Sequence, residues 1–171
     1  MDGWLHEVWI TALREFSDLK DVSSITQVVM RLGFALLLGG VLGFEREMAG
    51  RDAGLRTHML VATGSALFVL VPLQAGFSQD NMSRVLQGLV SGIGFLGAGA
   101  IIKLSEAREV RGLTTAASLW LAAGVGVACG LGREATAILS TVVALLILAG
   151  VRALRPGSAG KKHDDNDSDD R

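Results

Sequence analysis

The sequence predicts an all-α polytopic membrane protein, with five transmembrane helices preceded by an amphipathic helix lying in the membrane interface. Three observations carry this. Half of the 171 residues are hydrophobic and only 19% are charged, with a mean hydropathy of +0.44, a membrane composition in a chain long enough for one domain. Five apolar stretches each approach the ~20 residues that a helix needs to cross a bilayer. Lys and Arg gather on alternate connecting segments, as they do where one side of a membrane retains positive charge.

Residues 1–27 form the interfacial segment. Leu5, Val8, Trp9, Ala12, Leu13, Phe16 and Leu19 recur at helical spacing with charges mostly between them, and Trp4 and Trp9 suit the headgroup level. Glu7, Arg14, Glu15, Asp18, Lys20 and Asp21 interrupt any signal-peptide core. Residues 28–152 hold the spans: Val28 to Phe44, His58 to Phe77, Val85 to Ile102, Leu113 to Leu131 and Ala135 to Val151. Residues 153–171 are small, polar and charged without apolar periodicity, and are expected to be disordered. The tail's aspartates lack the Gly and Glu of an EF-hand loop, so a solvated acidic tail is the expectation.

Five spans place the termini on opposite sides. With the amino terminus outside, the inner segments hold Arg46, Arg51 and Arg56, then Lys103, Arg108 and Arg111, then Arg152, Arg155, Lys161, Lys162 and Arg171; the outer ones hold only Arg14, Lys20, Arg84 and Arg133. The carboxyl terminus is therefore expected in the cytoplasm. A net charge of -1 gives no case for nucleic acid, and a lone cysteine, Cys129, permits no internal disulfide.

The third span contains SGIGFLGAG. In lipid, helices associate by close packing and polar contacts rather than by burying apolar surface, and small residues permit that approach. At about 100° per residue, Gly88, Gly92 and Gly99 share one face while Gly94 and Gly97 lie nearly opposite. Two close-packing faces make this span the expected centre of the bundle. The fourth span adds Thr114, Ser118, Ala122, Gly126 and Gly130 at every fourth position, and the first adds Gly39 and Gly43. These three spans are expected to form the inner cluster, with the second and fifth facing lipid. A second use for the glycines is a kink or unwound segment lining a path.

No carboxylate lies in the middle of a span, which weighs against an intramembrane magnesium site of acidic side chains. Arg31 lies about one turn inside the first span; it either snorkels to the outer headgroups or flanks an outer vestibule with Arg84. Gln87, Ser91, Thr115 and Ser118 are uncharged polar groups suited to interhelical hydrogen bonds. At the inner boundary Glu45 and Glu47 stand near Arg46, Arg51 and Arg56, with Arg108, Glu109 and Arg111 on the other inner loop; these charges either fix topology and pair with one another or form a docking surface. No nucleophile, base and orienting group occur together, so no enzymatic activity, cofactor or metal site is expected.

The blocks GFEREMAGRDAGLRTHMLVATGSALF, RVLQGLVSGIGFLGAGAIIK and VRGLTTAASLWLAAGVGVACGLG resemble the MgtC/SapB family of bacterial membrane proteins, from about Arg31 to Val151. The resemblance implies a multi-pass inner-membrane protein linked to magnesium homeostasis, to growth at low magnesium and, in some pathogens, to virulence. It implies a role either as a magnesium transporter or as a regulator of other membrane machines, including the proton-translocating ATP synthase. The family pattern falls on Glu45, Arg46, Gly54, Leu55, Arg56 and Thr57, on Arg84, Gln87, Gly92, Gly94, Gly97 and Gly99, and on Arg111, Gly112, Thr115 and Ala116. Thr114 stands where virulence-associated members carry Asn, and the ACT-like domain of many members has no counterpart in the residues after Val151.

The expected function is regulation of another membrane protein during adaptation to low magnesium, and the expected partner is another inner-membrane protein or a further copy of this chain in a homo-oligomer. The alternative is a transporter or channel in which the third span lends backbone carbonyls to the path of magnesium or another ion. Magnesium is then a sensed or a transported ion.

Overall fold

The computed structural model describes residues 3–15, 21–102 and 112–153, and side chains only as far as residue 150 and not at Ile102. Six helices follow in order: α1 Gly3–Glu15, α2 Val22–Met48, α3 Leu55–Gln74, α4 Gln79–Ile102, α5 Leu113–Gly130 and α6 Glu134–Ala153. Helices α2 to α5 are long and apolar enough to cross a membrane, while the apolar part of α6, Glu134–Gly150, is shorter. The chain is an all-α membrane protein, and α1 is the helix foreseen ahead of the first span. Its apolar side chains are exposed, Trp4 and Trp9 among them. Arg111 and its loop neighbours Lys103, Arg108 and Glu109, as well as the tail 154–171, lie outside the described residues.

Local chemistry sets the boundaries. Asp21 accepts a hydrogen bond from the Ser24 N–H (3.0 Å) and so caps α2. Helix α2 ends with Gly50 at φ 66°, and its last carbonyls accept from the N–H groups of Ala49, Gly50 and Arg51, the Schellman arrangement that stops a helix. Helix α5 ends in the same way at Gly132, φ 72°.

The interior differs from the sequence expectation. The inner cluster is α2, α3 and α5, and α5 is the central helix, touching α2, α3, α4 and α6. Helix α3 is gripped by glycine pairs from both sides. On the α2 side, a Cβ at Gly39 would lie 2.7 Å from the Ala62 Cβ, and one at Gly43 would lie 2.7 Å from the Leu55 Cα. On the α5 side, a Cβ at Gly126 would lie 2.0 Å from the Ala62 carbonyl oxygen, and one at Gly130 would lie 2.6 Å from that of Ala66. Ala35, Leu42, Ala62, Ala66, Ala122, Val125 and Cys129 complete a core of small side chains, the close packing by which helices associate in lipid.

Helix α4 is therefore not the middle of the bundle. A Cβ at Gly88, Gly92, Gly94 or Gly99 would meet nothing within 4 Å, and at Gly97 only the Ala116 Cβ at 3.6 Å. It packs on α5 and, more loosely, on α3. The second span belongs to the inner cluster despite its weak small-residue stripe, because the glycines that admit it sit on its neighbours. Helix α4 runs unbroken through SGIGFLGAG.

Candidate functional site

At the end of the bundle holding the α2–α3 loop, the polar residues of FEREMAGRDAGLRTH are built into the fold. Arg46 is 3% exposed and pairs with the adjacent Glu45 carboxylate, one oxygen of which faces both its Nε and an Nη nitrogen. Burial makes that pairing necessary, because a guanidinium taken out of water without a counter-charge is costly. Glu47 has another task. Its Oε2 accepts from the Leu55 N–H (2.9 Å) and caps α3, whose own cap residue, Gly54, has no side chain to do so.

His58, fully buried, ties α3 to α5. Its Nδ1 donates to the Gly54 carbonyl oxygen (3.0 Å), and its Nε2 lies 3.0 Å from Ser118 Oγ. In a neutral ring Nε2 accepts from the Ser118 hydroxyl, which also lies 2.8 Å from the Thr115 carbonyl oxygen. One hydroxyl proton thus serves two acceptors. Alongside, Thr57 and Thr115 line a cavity of about 320 Å³ with Asp52, Phe95, Gly99 and Ala100. Thr115 is buried while Thr57, Arg56 and Asp52 are exposed.

Arg31, at the opposite end, is half-buried and tied to the end of α5, and its helix α2 has no contact with α4, which carries Arg84. The Arg31 Nη1 donates to the Gly130 carbonyl oxygen (3.1 Å), and its guanidinium covers Gly132, where a Cβ would lie 2.8 Å from Nη2. A cation so placed satisfies a terminal carbonyl of α5 and complements its dipole. Arg84 is exposed on α4.

Helix α4 leaves one side without a neighbour among the described helices. Gly97 turns to α5, while Gly88 and Gly92 border a cavity shared with α3. On the remaining side Ser83, Gln87, Ser91, Gly94 and Ala98 follow at steps of four, four, three and four, all exposed, which aligns them along one face. Ser83 donates its hydroxyl to the Gln79 carbonyl (3.1 Å). Among the described residues the side chains of Gln87 and Ser91 have no hydrogen-bond partner.

The structure brings together Glu45 with Arg46, and Thr57 with Thr115 and Gly99, and sets Gly126 and Gly130 against α3. It does not join Arg31 to Arg84 and Gln87, nor does it bury the α4 glycines. The sequence reading missed the His58–Ser118 link, which joins two positions sixty residues apart, and it missed the cap made by Glu47; the one signal for the first was Ser118's place in the small-residue stripe of the fourth span. Among the described residues no three of His, Cys, Asp or Glu gather as metal ligands.

The MgtC family model matches residues 32–156. The chain is similar to protein MgtC of Salmonella typhimurium strain LT2, 49% identical over 117 residues covering 68% of this chain and 49% of that protein. Protein MgtC of Brucella abortus strain 2308 is 51% identical over 124 residues, covering 72% of this chain and 50% of the relative. Protein SrpB of Synechococcus elongatus is 45% identical over 136 residues, covering 73% of this chain and 75% of the relative. The chain spans about half the length of the MgtC proteins it matches. No solved structure matches it. A match over most of the spans, at this identity and on the blocks that build the α2–α3–α5 core, places the chain in the MgtC family.

Proposed function

We propose that the chain is a regulatory protein of the bacterial inner membrane, amino terminus outside and carboxyl terminus in the cytoplasm, that binds another membrane protein through the outward face of α4 and serves magnesium homeostasis. The observation that carries this reading is the stripe of Gln87, Ser91, Gly94 and Ala98, exposed and turned from the other described helices. An amide left unpaired in hydrocarbon costs roughly 2–7 kcal/mol, and small residues with polar side chains are what joins helices in lipid. Family membership supports the tie to magnesium, and the distribution of Lys and Arg supports the orientation. The unbroken α4 favours docking over a path of turned-out carbonyls.

Growth of a strain dependent on this protein at scarce magnesium tests it. Gln87→Leu and Gly94→Leu are expected to lose support of growth while keeping the unfolding midpoint in detergent. Purified protein in liposomes loaded with a magnesium-sensitive dye is expected to give no uptake; uptake that depends on the protein and disappears with Gly97→Leu overturns the regulatory reading.

A further inference from the structure

Helices α3 and α4 pack loosely, and the space between them is graded in polarity. A cavity of about 630 Å³ is walled by Val61, Phe68, Leu89, Ile93 and Leu96, with Gly88 and Gly92 at its border and Ser65 as its one polar lining side chain among the described residues. The cavity of about 320 Å³ at Thr57, Thr115 and Asp52 shares Val61 and Leu96 with it, so the two adjoin as one groove. From Thr57 to Phe68 the groove runs ~16 Å at the rise of an α-helix. That is close to one leaflet's share of a hydrocarbon core ~30 Å thick.

Open apolar space forfeits dispersion contacts, and water finds no partners on such walls. The occupant must be apolar and slender. A groove one leaflet long, apolar along most of its walls and polar at one end, suits an acyl chain with its head at the boundary. The polar end selects the head. Asp52 is the charged residue of the lining, which repels an anionic head and attracts an ammonium, while Arg51 and Arg56, exposed and flanking it in the chain, suit a phosphate. We propose that the α3/α4 groove holds one acyl chain of a phospholipid with a zwitterionic, amine-bearing head, of the phosphatidylethanolamine type, its ammonium at Asp52.

The test uses the full chain in vesicles of phosphatidylethanolamine and phosphatidylglycerol, with a trace of one or the other carrying a diazirine in its acyl chain, and maps the photolabelled residues by mass spectrometry. Label is expected to concentrate on Val61, Phe68 and Leu96 relative to Leu139 and Leu146, which are 65% and 68% exposed on α6. The phosphatidylethanolamine probe is expected to label the groove roughly two- to fivefold more than the phosphatidylglycerol probe. Gly92→Leu, at a position with open space for its Cβ, should fold, fill the groove and remove only the groove label; Asp52→Asn should equalise the two probes. Label spread evenly over the groove and α6, equal labelling of the groove by both probes in the unmodified chain, or crosslinks between two copies in place of lipid label would each overturn the proposal.

Discussion

Gly126 lies so close to α3 that a Cβ on it would stand 2.0 Å from the Ala62 carbonyl oxygen. No side-chain rotation relieves such a clash, because the obstacle is backbone. Gly126→Ala is therefore expected to force α3 and α5 apart, at a cost of about 1–3 kcal/mol, and Gly126→Leu to abolish the folded bundle. Gly88→Ala, on α4, meets nothing within 4 Å and should be neutral or stabilising by about 0.4–1 kcal/mol. Unfolding midpoints in one detergent check the contrast. Equal losses at the two positions would contradict the assignment of α5 as the central helix.

Ser118→Ala removes the partner of a fully buried imidazole nitrogen. Leaving that nitrogen unsatisfied should cost about 1–3 kcal/mol. The pair should also be coupled, so that His58→Leu combined with Ser118→Ala costs less than the sum of the single changes. A double-mutant cycle on unfolding free energy measures this. Strict additivity would show that the α3–α5 polar link contributes nothing.

Arg31→Leu frees the Gly130 carbonyl and leaves the turn at Gly132 uncovered. A hydrogen bond from a charged donor contributes about 1.5–3 kcal/mol, and a loss of that order is expected in thermal unfolding. Arg84→Leu, on the exposed side of α4, should change stability little.

Asp21 provides a pH test. The hydrogen bond from Ser24 holds its carboxyl below the ordinary value of 3.8. The folded value is depressed, so the cap's contribution is fully present above pH 3.8 and fades as pH falls through the lower folded value. Protection of the Ser24 and Ile25 amides from hydrogen exchange, taken relative to the intrinsic rate at each pH, should fall in that acid range, and Asp21→Asn should remove this pH dependence of protection while retaining a cap.

Composition and apolar run length made the helices legible, and small residues at every fourth position on α5 pointed to a packed face. The neighbours were not legible. Periodicity gives the face of one helix, but whether that face is filled depends on another helix, and glycines that admit a neighbour look the same as glycines left open. Gly126 and Gly92 illustrate this: both sit in small-residue stripes, and only the first meets a backbone. The site residues divide similarly. Glu45 and Arg46 pair as adjacent charges at the boundary suggested, whereas the His58–Ser118 contact spans sixty positions and carries no local pattern. The acceptor of Arg31, at the end of α5, is likewise too distant in sequence to be read from a local pattern.

The docking role of α4 is tested most directly by a photocrosslinking residue at position 91 in native membranes, compared with one at position 146 on the exposed side of α6. The account predicts one discrete protein adduct from position 91, lost with Gly94→Leu while the unfolding midpoint holds, and none from position 146. No adduct at position 91, or the same adducts from both positions, would contradict it.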